Sequence, residues 1–184
     1  MGQHKPLLPW GEGTLIEYQI RKLTKTGNPL VVVLGSDSDL IAPVIQKYEV
    51  HTVINPSWEK GMGGSIAAGV QAVLRSHPGA EGLLVTLVDQ PLVPLEHYNK
   101  MLDAFQPGNQ SVIISSSANG LEGVPVLFDR CYMDELKVLE GDQGARKITQ
   151  RHEDHLLRIP CGDILVDMDT MEAYQKLHEK FFRT

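Results

Sequence analysis

Two cysteines in 184 residues, Cys131 and Cys161, with no close pairing, exclude a disulfide framework and a zinc ribbon and fit a reducing compartment. No apolar run approaches the roughly 20 residues of a membrane span. No charged-then-apolar start reads as a secretory leader, so a cytoplasmic protein with no membrane partner is expected. Basic clusters are scarce as well. The 17 Lys and Arg are scattered among 23 Asp and Glu, for a net charge of −6, which lacks the footprint a nucleic-acid binder needs. Repeats and low-complexity linkers are absent. A chain of 184 residues that is 42% hydrophobic can bury one sizeable core and is short for two, so a single domain over 1–184 is expected.

Nucleophile motifs are missing too. There is no Gly-x-Ser-x-Gly elbow, and neither cysteine has a general base beside it in sequence. The dinucleotide fingerprint and the Gly-Lys-Ser/Thr end of a P-loop do not occur. His152 and His155 in "RHEDH" stand three apart, matching neither zinc-protease arrangement, and read as a solvated turn.

What is present is an alternation. Apolar runs at 29–35, 50–55, 82–89 and 111–115, rich in Val, Ile and Leu, are continuous rather than alternating, as strands buried on both faces require. Amphipathic segments at 14–25, 40–47, 65–74 and 94–105 lie between them, the last with Pro94 at its start. After Ser115 follow "GVPVLFD", a helix over 129–139, a shorter helix after Asp142, a strand near "HLLRIP" and a helix from Met171. The order predicts an α/β sandwich with a mostly parallel sheet. Ligands of such folds sit outside the carboxyl ends of the strands, so chemistry is sought just after each apolar run.

Asp89 follows the run at 82–89 and precedes Pro91. A carboxylate on that rim can hold Mg²⁺, a hard ion that takes one or two carboxylates plus substrate phosphates; it can also serve as a turn-former ahead of Pro94. The glycine-rich "EKGMGGSIAAG" opens a predicted helix at Ser65. Its glycines allow close backbone approach to a base or a phosphate, and a plain tight turn fits equally. In "EGDQGARK", Asp142 is placed to cap a helix, and Arg146 with Lys147 stands in its first turns, either solvated or facing an anion. "VDMDT" has carboxylates two apart, Asp167 and Asp169, facing one way if extended. One can be a second metal ligand, and Asp169 with Thr170 can cap the last helix.

Taken in order, "MGQHKPLLPWGEGTL", "GMGGSIAAGV", "VDQPLV", "GVPVLFD", "LEGDQGARK" and "DMDT" resemble the nucleotidyltransferases related to molybdenum cofactor cytidylyltransferase, through nearly the whole chain. The resemblance implies a Rossmann-like three-layer sandwich of the nucleotide-diphospho-sugar transferase type. It also implies transfer of CMP from CTP to molybdopterin carrying molybdenum, with Mg²⁺ as cofactor and pyrophosphate released. By position it assigns Lys5 to the triphosphate and Gly61, Gly63, Gly64 and Ser65 to the cytosine. Asp89 and Asp169 take the metal, with Lys5 and Asp89 catalytic, and Pro125, Gly141, Asp142 and Arg146 take the acceptor. Two other activities stay open: a nucleotidyltransferase for another acceptor or base, and a non-catalytic accessory protein that delivers molybdenum cofactor to a molybdenum hydroxylase. Family members carry a strand and a Leu-Ala-Ala-Gly-x-Ser-x-Arg loop ahead of the Met-Gly that is here Met1-Gly2. The resemblance therefore implies an N-terminal truncation, with the first strand missing and a gap left in the sheet.

Overall fold

The computed structural model describes residues 4–162 and 164–182; the Met1-Gly2 junction lies outside them. The elements follow the expected alternation: α1 (Leu15–Leu23), β1 (Val31–Leu34), α2 (Ser38–Ile45), β2 (His51–Ile54), α3 (Met62–Ser76), β3 (Gly82–Val85) and α4 (Leu95–Ala104). Then come β4 (Val112–Ser116), β5 (Glu122–Asp129), α5 (Met133–Leu136), α6 (Arg146–Arg151), β6 (Leu156–Pro160) and α7 (Met171–Phe182). Local chemistry explains their ends. Thr14 and Glu17 form a reciprocal capping box on α1, satisfying two of its orphan N–H groups. Asp129 accepts from Cys131 N and starts the turn before α5.

Three expectations need correction. Helix α3 starts at Met62, with Gly61 as its N-cap, not at Ser65, so Gly63, Gly64 and Ser65 form its first turn rather than a loop. Asp142 does not cap the helix after it, because α6 begins at Arg146 behind an Ala145 N-cap that makes no side-chain bond. Pro94 is the N-cap of α4 rather than part of its first turn.

Strand pairing is mixed. β1 pairs with β2 and β4 with β6 in parallel, whereas β5 lies antiparallel between β3 and β4. The short 117–121 connection returns the chain alongside β4, which allows only the antiparallel direction. Central position buries Val112, Ile113 and Ile114 of β4 and Val126, Leu127 and Phe128 of β5. With Val70, Tyr132, Met133, Leu136 and Ile148, most of these form the main core.

Among the described residues the strands form two sheets, β1-β2 and β3-β5-β4-β6. No strand lies between β1 and β3. A cavity of about 1220 Å³ opens there instead, lined by Val31–Leu34 of β1, Gly82–Val85 of β3, Ile16 and Ile20 of α1, and Ile66 and Val70 of α3. Apolar runs of the same character as β4 are therefore only half-buried in β3 and, apart from Leu34, in β1. Each of these two strands has one unpaired edge toward the cavity.

Candidate functional site

Lys5 stands in a short 3₁₀ turn, Lys5–Leu7, at the start of "KPLLPW". That stretch is fixed by its apolar residues. Trp10 is fully buried and is ringed by Tyr174, His178, Phe181 and Phe182 of α7, with ring centroids 5.4–6.2 Å away. The Tyr174 hydroxyl donates to the Pro9 carbonyl at 2.7 Å. Packing α7 on this loop brings the residues just ahead of α7 to Lys5.

The result is a convergence across the chain. Lys5 Nζ donates to Asp89 Oδ2 at 3.0 Å and to Asp169 Oδ1 at 2.9 Å. Burial opposes the charge on Lys5, but its hydrogen bonds to Asp169 and Asp89 outweigh that and raise its pKa above the ordinary lysine value. The ammonium is therefore held charged at neutral pH. Asp167 Oδ1 accepts from Gln90 Nε2 at 2.8 Å, and Met168 N donates to the Asp89 carbonyl at 3.2 Å. Thr170 caps α7 by accepting from Ala173 N. The "VDMDT" stretch thus caps a helix through Thr170, sets Asp167 against Gln90 and sets Asp169 against Lys5.

The second Asp89 oxygen, Oδ1, is buried without a hydrogen-bond partner. An ionised oxygen left bare in a low-dielectric setting is costly. With a cation already bridging Asp89 and Asp169, the donor set fits a divalent ion held by two carboxylates and completed by substrate phosphates. No group of three or more His, Cys, Asp or Glu among the described residues could hold a metal by itself.

The glycine stretch meets the 140–142 segment. A Cβ on Gly63 would lie 2.8 Å from the Glu140 carbonyl carbon, and one on Gly61 would lie 2.3 Å from Asp142 Oδ1. Gly63 N donates to the Gly141 carbonyl at 2.8 Å. The glycines at these two positions are therefore required for α3 to seat its N-terminus on residues 140–142. Candidate nucleotide residues Gly61 and Gly63 thus touch candidate acceptor residues Gly141 and Asp142. Ser65 Oγ accepts from Asn55 Nδ2 at 3.1 Å. Gly64 has only Asn55 near its missing Cβ, at 3.5 Å. Gly61 and Ser65 line the cavity, as do Pro6 and Val88, the chain neighbours of Lys5 and Asp89.

Two candidates stand apart. Pro125 is buried inside β5, and its carbonyl accepts from Ser115 Oγ at 2.8 Å. Arg146 is exposed at the start of α6.

Several residues of the site were not singled out from the sequence. His4 Nδ1 pairs with Asp37 Oδ2 at 2.9 Å. Asp37 follows β1 in the left-handed region, φ 60°, which Asp tolerates better than most residues. Its place after an apolar run was the available signal. Gln90 stands in the "VDQPLV" stretch without a role of its own, and Gln19 and Lys22 gave no signal, because a polar residue on an amphipathic helix reads as solvated until the packing is known.

Residues 1–156 match the family described as the MobA-like NTP transferase domain. Nicotine blue oxidoreductase of Paenarthrobacter nicotinovorans is 29% identical over 94% of this chain and 87% of its own length. Molybdenum cofactor cytidylyltransferase of Escherichia coli is 23% identical over 98% and 90%. A manganese complex of a Mycobacterium tuberculosis protein superposes with a TM-score of 0.76 at 26% identity, covering 97% of this chain and 93% of that one. A nucleotidyl transferase from Methanothermobacter superposes at 0.81 with 19% identity over 98% and 86%, a likeness of fold. Motif order, architecture and these matches agree, and the chain belongs to the MobA-like NTP transferase family.

Proposed function

We propose that this nucleotidyltransferase-family chain moves CMP from CTP onto the terminal phosphate of a molybdopterin-type cofactor, releasing pyrophosphate, and that residues 1–184 act as one domain. The observation that carries the reading is the convergence of Lys5, Asp89 and Asp169 with a bare, buried Asp89 oxygen. The likeness to molybdenum cofactor cytidylyltransferase over nearly both chains supports the choice of donor and acceptor.

In this reading an acceptor phosphate oxygen bonds to the α-phosphorus of CTP, and the bond from that phosphorus to the pyrophosphate oxygen breaks. Such transfer needs in-line positioning and charge neutralisation rather than a protein nucleophile, in keeping with a sequence without nucleophile motifs. Asp89 and Asp169 would hold Mg²⁺, which supplies Lewis-acid stabilisation of the phosphates when bound; the manganese complex of a relative is consistent with a divalent ion. Lys5 supplies a fixed positive charge where negative charge grows on departing pyrophosphate. Gly61 and Ser65, at the cavity mouth, would meet the base. Gly141, Asp142 and Arg146 would meet the acceptor, while Pro125 acts only through the shape of β5.

Calorimetric titration with CTP and Mg²⁺, with GTP as control, tests the donor. CTP alone is expected to bind, and Asp89→Asn is expected to weaken it at least tenfold. A folded chain that takes up neither nucleotide would sink the transferase reading. One second reading is a protein that binds the molybdenum cofactor without transferring CMP and serves a molybdenum hydroxylase. Pterin binding without CTP turnover would decide for it.

A further inference from the structure

The loop from Leu87 to Val93 carries Asp89 out of β3 and belongs to no helix or strand, so its carbonyls need partners from elsewhere. Helix α1 provides them from two residues three apart, which share one helix face. Gln19 Nε2 donates to the Leu87 carbonyl at 2.9 Å and to the Gln90 carbonyl at 3.3 Å. Lys22 Nζ donates to the Pro91 carbonyl at 2.9 Å and to the Val93 carbonyl at 2.7 Å. Both side chains are buried, Gln19 at 3% and Lys22 at 8% exposure. Lys22 has no carboxylate in either bond; its Nζ lies 4.9 Å from the Tyr18 ring centre and 5.8 Å from that of Tyr98. A buried lysine spent on two carbonyls is a costly way to fill a core position that leucine could fill. Its place on both sides of Asp89, with Gln19, gives it a use.

We propose that Lys22 and Gln19 are positioning residues for Asp89. They clamp four carbonyls of its loop to α1 and so hold the carboxylate where Lys5 and Asp169 meet it. The inference rests on the reading of Asp89 as a ligand-holding group. The clamp acts at a distance from the ligand, since neither side chain bonds the Asp89 carboxylate. Lys22→Met keeps an unbranched side chain one atom shorter and removes both Lys22 hydrogen bonds; Gln19→Leu removes the other two.

The test uses the full chain with Mn²⁺ alone, read by electron paramagnetic resonance, alongside hydrogen exchange of the 87–93 amides. Leu136→Ala, a buried change on α5 in a core cluster that contains no residue of the 87–93 loop, controls for lost stability. Lys22→Met is expected to raise exchange across 87–93 at least tenfold relative to the β4 amides and to weaken Mn²⁺ binding at least fivefold. Leu136→Ala is expected to accelerate the β4 amides while leaving exchange across 87–93 and the Mn²⁺ affinity within twofold. Equal effects from both variants, or unchanged loop exchange in Lys22→Met, would overturn the proposal. Should Lys22→Met fail to fold, Gln19→Leu must give the same two changes, and if it does not the proposal falls. Should the wild type bind no Mn²⁺ while loop exchange still accelerates in the clamp variants, the clamp stands and the metal reading of Asp89 fails.

Discussion

Single residues here carry charges whose environment sets a pH signature. Lys22 is pushed down to about 7 by burial. Below that pH it is protonated in the folded and unfolded states alike; above it the folded chain sheds the proton first while the unfolded chain keeps it to about 10.5. The unfolded state then binds more protons, so stability rises with pH through this window. Melting curves at pH 7, 8 and 9.5 are expected to show wild type gaining stability relative to Lys22→Met; parallel curves would contradict it. In Glu17 the partners outweigh burial and favour the charge, with the same sign of pH dependence. Burial works against its charge, but Lys47 and the Thr14 backbone and hydroxyl overcome this and hold it at about 2. That stability is present above the unfolded value of 4.5 and is lost as pH falls toward 2. Glu17→Gln, which also weakens the capping box, is expected to cost about 1 kcal/mol at pH 7 and to flatten the acid limb of a urea-midpoint profile.

At the level of elements, two contacts set where the site residues lie. The first is the seating of α3 on residues 140–142 at Gly61 and Gly63. Gly63→Ala puts a methyl group against the Glu140 backbone and is expected to cost about 1–3 kcal/mol by overpacking, read from denaturant midpoints. Gly64→Ala, with 3.5 Å of clearance, should be much milder. The second is Trp10 beneath α7. Trp10→Ala is expected to cost about 3–5 kcal/mol. Because Asp169 precedes α7 by two residues, the same change should weaken Mn²⁺ uptake beyond what a stability-matched Leu136→Ala does. The existence and type of the elements were legible in apolar runs, caps and turns. The first turn of α3 was not, because Met-Gly-Gly has low intrinsic helix propensity and is helical here only through its contact with residues 140–142.

At the level of the whole molecule, the division of the strands into two sheets governs the distribution of stability. β4 and β5 are bonded on both edges and buried, while β1 and β3 each turn an edge toward the 1220 Å³ cavity. Hydrogen exchange is expected to follow that division. Amides of β1 and of the cavity edge of β3 should exchange through local opening, and those of β4 and β5 only near global unfolding. Uniform protection across all six strands would show that the cavity edges are covered. No helix among the described residues is long and apolar enough to cross a membrane.

The sequence by itself determined the order of strands and helices and the place of Asp89 just past an apolar run, because those signals lie within a few residues of one another. Only the tertiary structure decided that Lys5 meets Asp89 across 84 positions and Asp169 across 164, that β5 runs antiparallel into the sheet, and that Gly61 faces Asp142. These depend on Trp10 drawing α7 onto the first loop, on the length of the 117–121 turn and on a close approach at Gly61 that no Cβ could occupy. Such contacts join residues far apart in the chain, and periodicity and propensity report only on near neighbours.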